Sequence, residues 1–219
     1  KSLGFHGVKS FENDMNVRKC RAAVFKRQLN DAYDYCQNAS DYFGVKAKMI
    51  ESDPLTGSED GAEALLEEKV TAEDMLKYAE ALRATAELYV ADENPKEAKS
   101  LAEQALEICR ANAGQSSSSR SLKENLESFV RETHNLVRQY ENNRDYAKIL
   151  GVPPNLNELT KERQCDFIKK SFKKLALKWH PDKHETNARK KRAARKLNDA
   201  AEARDELNDR ANCEAGSVN

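Results

Sequence analysis

The chain has 219 residues, and its 37 Lys and Arg balance 37 Asp and Glu, so no global field selects a polyanion as partner. Hydrophobic residues make up 39% and charged residues 34%, with 8 Gly and 5 Pro; that shortage of turn punctuation favours helices, and the length allows one or two cores. No apolar run approaches the ~20 residues of a membrane span, no signal-peptide core is visible, and a start at Lys1 reads as a piece excised from a longer chain.

The first helical stretch runs from about Met15 to Met49 and is dense in Ala, Cys and aromatic residues. Residues 52–62, "SDPLTGSEDGA", follow as an acidic loop punctuated by Gly and Pro. A second stretch starts at Ala64 or Ala72 and runs to Ala111. It is broken at Asn94-Pro95, because a helix rarely continues through the residue before Pro. Residues 114–121, "GQSSSSRS", read as a flexible connector. A third helix begins at Ser121, where Ser121 and Glu124 have capping-box spacing, and Leu122, Leu126, Phe129, Val130, Leu136, Val137 and Tyr140 form one apolar stripe. Cys20, Cys36, Cys109, Cys165 and Cys213 are scattered singly with no Cys-x-x-Cys. That disfavours zinc ribbons and thioredoxin-type sites, and small buried or idle thiols are expected. Asn38-Ala39-Ser40 is a glycosylation sequon, meaningful only in the secretory pathway.

Residues 79–112 fit one period of the tetratricopeptide repeat (TPR), with Leu82, Ala86 and Tyr89 on a first helix and Ala98, Ala102 and Ala105 on a second. Small residues at such places let two antiparallel helices approach closely. The same template over residues 13–46 puts Cys20, Ala32, Cys36 and Ala39 at the equivalent positions, a degenerate repeat that lacks the bulk of Leu82. Stacked repeats would leave a concave groove, and Val17, Arg21, Val24, Arg83, Ala84 and Glu87 are the expected client-contacting positions. A clamp for a chaperone's C-terminal carboxylate is disfavoured, because Ala84 and Glu87 stand where such a clamp needs Asn or a second cation.

From Arg144 onward the pattern changes. "RDYAKILGV" gives a short helix that ends at Gly151, and Pro153-Pro154 forbids its continuation. A helix from about Lys161 to Lys178 follows. Its stripe of Ile168, Phe172, Leu175, Ala176 and Trp179 lies opposite Lys169, Lys170, Lys173, Lys174 and Lys178. Pro181 stops this helix, and a last helix from about Asn187 to Asn208 must pair with it. "RDYAKILGV", "IKKSFKKLALKWHPDK" and "RKLNDAAEARDELND", in that order, resemble the J domain of the DnaJ family. The whole arrangement looks like the TPR-containing J proteins, in particular the endoplasmic-reticulum branch that assists a BiP-type chaperone, with a cytoplasmic relative as the competitor.

The resemblance implies an all-α chain. TPR-like hairpins would occupy residues 1–112, with the degenerate repeat at 13–46, the acidic insertion at 52–62 and the second repeat at 79–112. A connector and spacer helix would follow at 113–143, then a J domain at 144–210 and a flexible tail at 211–219. It implies a non-enzymatic co-chaperone, without cofactor or metal, that binds unfolded client polypeptides and stimulates ATP hydrolysis by a DnaK/BiP-type chaperone. Docking would fall to His180, Pro181, Asp182, the five lysines just named and Lys183. Three departures stand out: Ala147 and Arg204 replace usual aromatics, and Leu197 replaces a usual Phe, so the hairpin should be less tightly braced. The insertion "PPNLNELTKERQC" lengthens the link before the basic helix. A catalytic or metal reading of His180, Asp182, His184 and Glu185 is disfavoured, since neighbours on one loop rarely converge and His6 and His134 have no ligand company. The alternative function is an RNA- or ribosome-associated helical adaptor using the basic faces, including Arg189 to Lys196; no aromatic platform interleaves with those cations, which disfavours nucleic acid.

Overall fold

The structure, a computed structural model, describes residues 5–51, 71–112, 114 and 117–213. Among these residues every regular element is helical: α1 (Phe5–Phe25), α2 (Leu29–Glu51), α3 (Ala72–Ala91), α4 (Pro95–Asn112), α5 (Ser117–Asn142), α6 (Tyr146–Leu150), α7 (Lys161–Lys178) and α8 (Asn187–Ala211), with 3₁₀ turns at Leu156–Glu158 and Pro181–Lys183. The chain is all-α, in two compact units, residues 1–141 and 142–219. The acidic insertion at 52–62 lies outside the described residues.

In the first unit α1 packs on α2, α2 on α3 and α3 on α4, and α3 also reaches back to α1. Small side chains permit this. Cys20, Ala32, Cys36 and Ala39 have the same near-zero exposure as Ala86, Ala98, Ala102 and Ala105, their counterparts 66 residues on. Both hairpin turns also place a non-glycine residue in the left-handed region at matching positions, Arg27 (φ 59°) and Glu93 (φ 59°). The sequence carries no Gly or Pro at residues 26–28, which is why the single stretch from Met15 to Met49 hides a reversal there. Across the hairpins the Tyr33 hydroxyl donates to Asp92 Oδ2 at 2.9 Å, and Tyr33 meets Tyr89 edge-on with ring centroids 5.7 Å apart. Thr71 and Asp74 form a reciprocal capping box that starts α3 at Ala72.

The spacer helix begins earlier than Ser121. Ser119 is buried and donates its hydroxyl to the Gly114 carbonyl at 2.8 Å, so α5 extends back to Ser117 and most of the expected connector is helix. Leu126 packs with Leu82, Ala105, Leu106 and Cys109, and Phe129 packs with Ala86, Ala98 and Ala102. Burial of each such side chain stabilises by about 1.5–3 kcal/mol.

The expectation of idle thiols fails at four of the five cysteines. Cys20 and Cys36 form a disulfide that joins α1 to α2, and Cys165 and Cys213 form another; only Cys109 is free, and it is buried. Spacing gave no sign of this, because helical hairpins bring distant positions together without a local Cys pattern. In the second unit Cys165 lies in the second turn of α7 and Cys213 just past α8, so the bond also shows that the two helices run antiparallel. Residues 211–213, the start of the expected tail, are held in place. Ala211 is helical, Asn212 closes α8 in the left-handed conformation (φ 50°), and Cys213 is covalently tied; residues 214–219 lie outside the description.

Closing loops of 16 and 48 residues removes denatured-state entropy worth about 3 and 4 kcal/mol, respectively. Cys165→Ser with Cys213→Ser should therefore lower the unfolding free energy of the second unit by about 3–4 kcal/mol in a denaturant titration. Denatured without reductant, the chain should take up one alkyl group per molecule. In the native state that one site, Cys109, should react slowly, because burial pushes its thiol above its usual range.

Candidate docking site

The second unit is built to hold one corner outward. The Asp145 side chain caps α6 by accepting from the Lys148 N–H at 3.0 Å. Gly151 ends α6 at φ 72°, a left-handed conformation that glycine adopts without steric cost, and Val152 returns its N–H to the Ala147 carbonyl at 3.0 Å. The inserted link is more than a spacer: its 3₁₀ turn plants Leu156 in a core with Leu150, Val152, Ile168, Ala200, Ala203 and Leu207.

One of the three departures, Arg204, finds a physical replacement. The Arg204 guanidinium lies over the Phe172 ring at 4.3 Å and pairs with Asp205 at 2.7 Å, so a flat cation occupies the place of the usual aromatic. Tyr146 on α6 is flanked by Arg144 and Arg210 at 5.4 and 5.1 Å. Arg144 in turn pairs with Asp199 and Glu202 on α8. Burial pushes the Asp199 carboxyl above its usual range, against the pull of Lys196, Arg195 and Arg144.

Where α7 ends, Trp179 is its last hydrogen-bonded residue, giving its N–H to the Leu175 carbonyl at 2.8 Å. Pro181 sits at the first position of the 3₁₀ turn, where its fixed φ fits and its missing donor costs nothing. Lys183 and His184 return their N–H groups to His180 and Pro181 at 3.0 Å each. The Asp182 N–H points to His180 Nδ1 at 3.3 Å, with the Asp182 carboxylate 3.6 Å from the same nitrogen, so Nδ1 is engaged within the turn and Nε2 is the ring nitrogen left to a partner. The side chains of His180 and Asp182 are 55% and 88% exposed, so the corner meets solvent. Beneath it the rings of Trp179 and His184 stack 5.9 Å apart at 18°, with Lys178 and Arg192 each 5.1 Å from the indole centroid. His184 Nε2 is buried without a hydrogen-bond partner, so stacking holds this ring. In the sequence His184 stands out only as a catalytic or metal-ligand candidate; its spacing of five from Trp179 across the turn is the available signal for a clasp.

Lys169, Lys170, Lys173, Lys174, Lys178 and Lys183 are all exposed, and Lys170 pairs with Asp166 at 3.5 Å. Residues 161–196 carry 14 Lys and Arg against 4 Asp and Glu, a local excess inside a neutral chain. Leu177, 57% exposed, lies among these lysines. Among the described residues no three His, Cys, Asp or Glu side chains gather as metal ligands, and no helix is long and apolar enough to cross a membrane.

The six residues expected to line a client groove divide between buried and accessible positions. Val17 and Ala84 are packed between helices, and Val24 is half-buried. Arg21 and Arg83 both pair with Glu87, at 3.5 and 3.2 Å, and Arg83 also lies over Phe129 at 5.6 Å. Val17 and Ala84 are thus taken up in packing, while Arg21, which stays exposed, Arg83 and Glu87 form one ion-paired group.

Comparison with protein-family models matches residues 145–215 to the DnaJ domain. Residues 145–215 of the second unit are thus a J domain, placed at the C-terminal side of the chain. Among curated proteins it is similar to "DnaJ homolog subfamily C member 3" of Rattus norvegicus, 34% identical over 129 residues that cover 59% of this chain and 22% of the relative. It is also similar to the Homo sapiens protein of that name (39% over 88 residues, 40% and 15%) and to "DnaJ homolog subfamily B member 5" of Homo sapiens (44% over 66 residues, 30% and 16%). The matched stretch spans about a fifth or less of the length of these relatives.

Arg204→Ala should destabilise the J domain by about 1–2 kcal/mol in thermal or denaturant unfolding, whereas Arg204→Phe, which restores a ring against Phe172, should cost little or add stability.

Proposed function

We propose that this chain is a J-protein co-chaperone that docks on the ATPase of a DnaK/BiP-type chaperone and stimulates its ATP hydrolysis, with no chemistry of its own. One observation carries the reading: a proline-fixed turn at the end of a cationic helix holds His180 and Asp182 in solvent while the fold braces it from below. Asp182 offers a carboxylate to a partner cation and His180 its outward ring nitrogen, Nε2. Charge-assisted contacts of this kind contribute about 1.5–3 kcal/mol each. Lys169, Lys170, Lys173, Lys174, Lys178 and Lys183 steer an acidic partner surface to the corner, raising the association rate more than the affinity. Stimulation requires only that the corner bind the hydrolysing state of the partner better than the resting one.

The first unit gathers client polypeptide. The 66-residue correspondence of its two hairpins supports a TPR reading, and Phe25, 89% exposed at the end of α1, supplies the apolar contact that Val17 and Ala84 do not. The endoplasmic-reticulum lumen is the favoured compartment over the cytoplasm, because two disulfides persist only where the surroundings are oxidising.

His180→Gln and Asp182→Asn should each weaken docking roughly tenfold to a hundredfold, the equivalent of one charge-assisted contact. Single-turnover ATP hydrolysis by a lumenal DnaK-type chaperone should then show stimulation reduced to about half or less at chain concentrations that just saturate the unmodified protein, with helicity unchanged. Full stimulation by either variant contradicts the docking role. Lys169→Glu combined with Lys170→Glu and Lys173→Glu should slow association by about tenfold or more at low salt and progressively less as salt rises; a rate indifferent to ionic strength contradicts steering.

A further inference from the structure

We infer that Asn38 is an N-glycosylation site, occupied before α2 folds onto α3; this rests on the lumenal compartment proposed above. The sequon Asn38-Ala39-Ser40 lies in the middle of α2 and its three residues face different ways. Asn38 is exposed, on the side of α2 turned away from Ala32, Cys36, Ala39 and Phe43, all of which are buried. Asp31, Asp41 and Val45 fall on its side within two turns, and each is exposed. A glycan there projects from an open polar face and displaces nothing in the core, and it covers Val45, which is 57% exposed.

The rest of the sequon sets the timing. Ala39 is 1% exposed. The Ser40 hydroxyl lies 2.9 Å from the Thr85 hydroxyl, and Thr85 already donates its single proton to the Ala81 carbonyl at 2.9 Å. Ser40 is therefore the donor, and its hydroxyl is committed to α3. A transferase that recognises the sequon must reach the Asn amide and the hydroxyl two residues on together, yet helix geometry turns positions i and i+2 about 200° apart. Folded α2 cannot present both. The chain is an acceptor only before α2 forms and before Cys36 is drawn into its bond with Cys20.

In the transfer, the Asn38 side-chain nitrogen forms a bond to the anomeric carbon of the first N-acetylglucosamine of a polyprenyl-diphosphate-linked oligosaccharide. The bond from that carbon to the diphosphate oxygen breaks, the lipid diphosphate leaves with the electron pair, and the amide gives up one proton to a base of the transferase.

The test directs the full chain into microsomes during translation, using a cleavable signal, alongside Asn38→Gln and Ser40→Thr. Expected are one slower-migrating form removed by a peptide N-glycosidase, its loss in Asn38→Gln, higher occupancy in Ser40→Thr, and at least a tenfold loss of transfer when the purified folded chain meets the same microsomal transferase and donor. A directed chain whose Cys20–Cys36 bond resists alkylation, showing entry and oxidation, but which carries no glycan overturns the acceptor site. Equal transfer to the folded chain overturns the timing. Glycan on the directed chain, with an unmodified, thiol-reactive protein recovered from the cells that make it, overturns the compartment and with it modification in life.

Discussion

A proline that cannot donate a hydrogen bond governs the second unit. Pro181 forbids α7 from continuing, and the chain must turn within the residues before Thr186 caps α8. What projects from that turn is decided by what can be satisfied inside it. The backbone groups of Lys183 and His184 close the turn internally, and His180 Nδ1 takes up the Asp182 N–H. The Asp182 carboxylate, 3.6 Å from His180 Nδ1, and the far side of the His180 ring remain exposed to solvent or to a partner. Because α7 and α8 are tied together near the corner by Arg192 of α8 lying over the Trp179 ring, and at the other end by the Cys165–Cys213 bond, the corner is carried on a braced hairpin.

Charge segregation is the second theme. A chain with no net charge keeps a cationic surface by concentrating its Lys and Arg on α7, the turn and the first half of α8, and placing Asp199, Glu202, Asp205, Glu206 and Asp209 on the second half of α8. Those acids meet Arg144, Arg204 and Arg210, so the lower end of the hairpin is internally neutralised. The lysines of α7 are left facing outward. The same arginines lie on Tyr146 and Phe172, so the fold uses flat cations where apolar rings were expected.

The helices were legible wherever periodicity and punctuation agreed: the Asn94-Pro95 break, the Leu150-Gly151 stop and the end of the basic helix at Trp179 could all be read directly. The exposed corner was legible because a tripeptide in a fixed context implies a turn. The reversal at residues 26–28 was not, because Arg27 takes up a left-handed conformation without any glycine to announce it. The α5 start was misplaced because Ser121 imitates a cap, while Ser119, one half-turn earlier, makes the actual bond to Gly114. The disulfides were invisible since partners 16 and 48 residues apart are defined only by how helices stack. A repeat template fixes which positions are small but not which of them stay accessible: Val17 and Ala84 are buried, whereas Arg21 is exposed and pairs with Glu87.

The central claim is that the corner and its cationic helix form the contact surface for the partner ATPase. The most direct measurement is an amide and side-chain NMR titration of the chain with the ATP-bound form of a DnaK-type chaperone. The account predicts shifts and broadening concentrated at His180, Asp182, Lys183 and the lysine face of α7, with Tyr146, Cys165 and Cys213 at the opposite end unmoved. Perturbation confined to that opposite end, or none at concentrations where hydrolysis is stimulated, would contradict it.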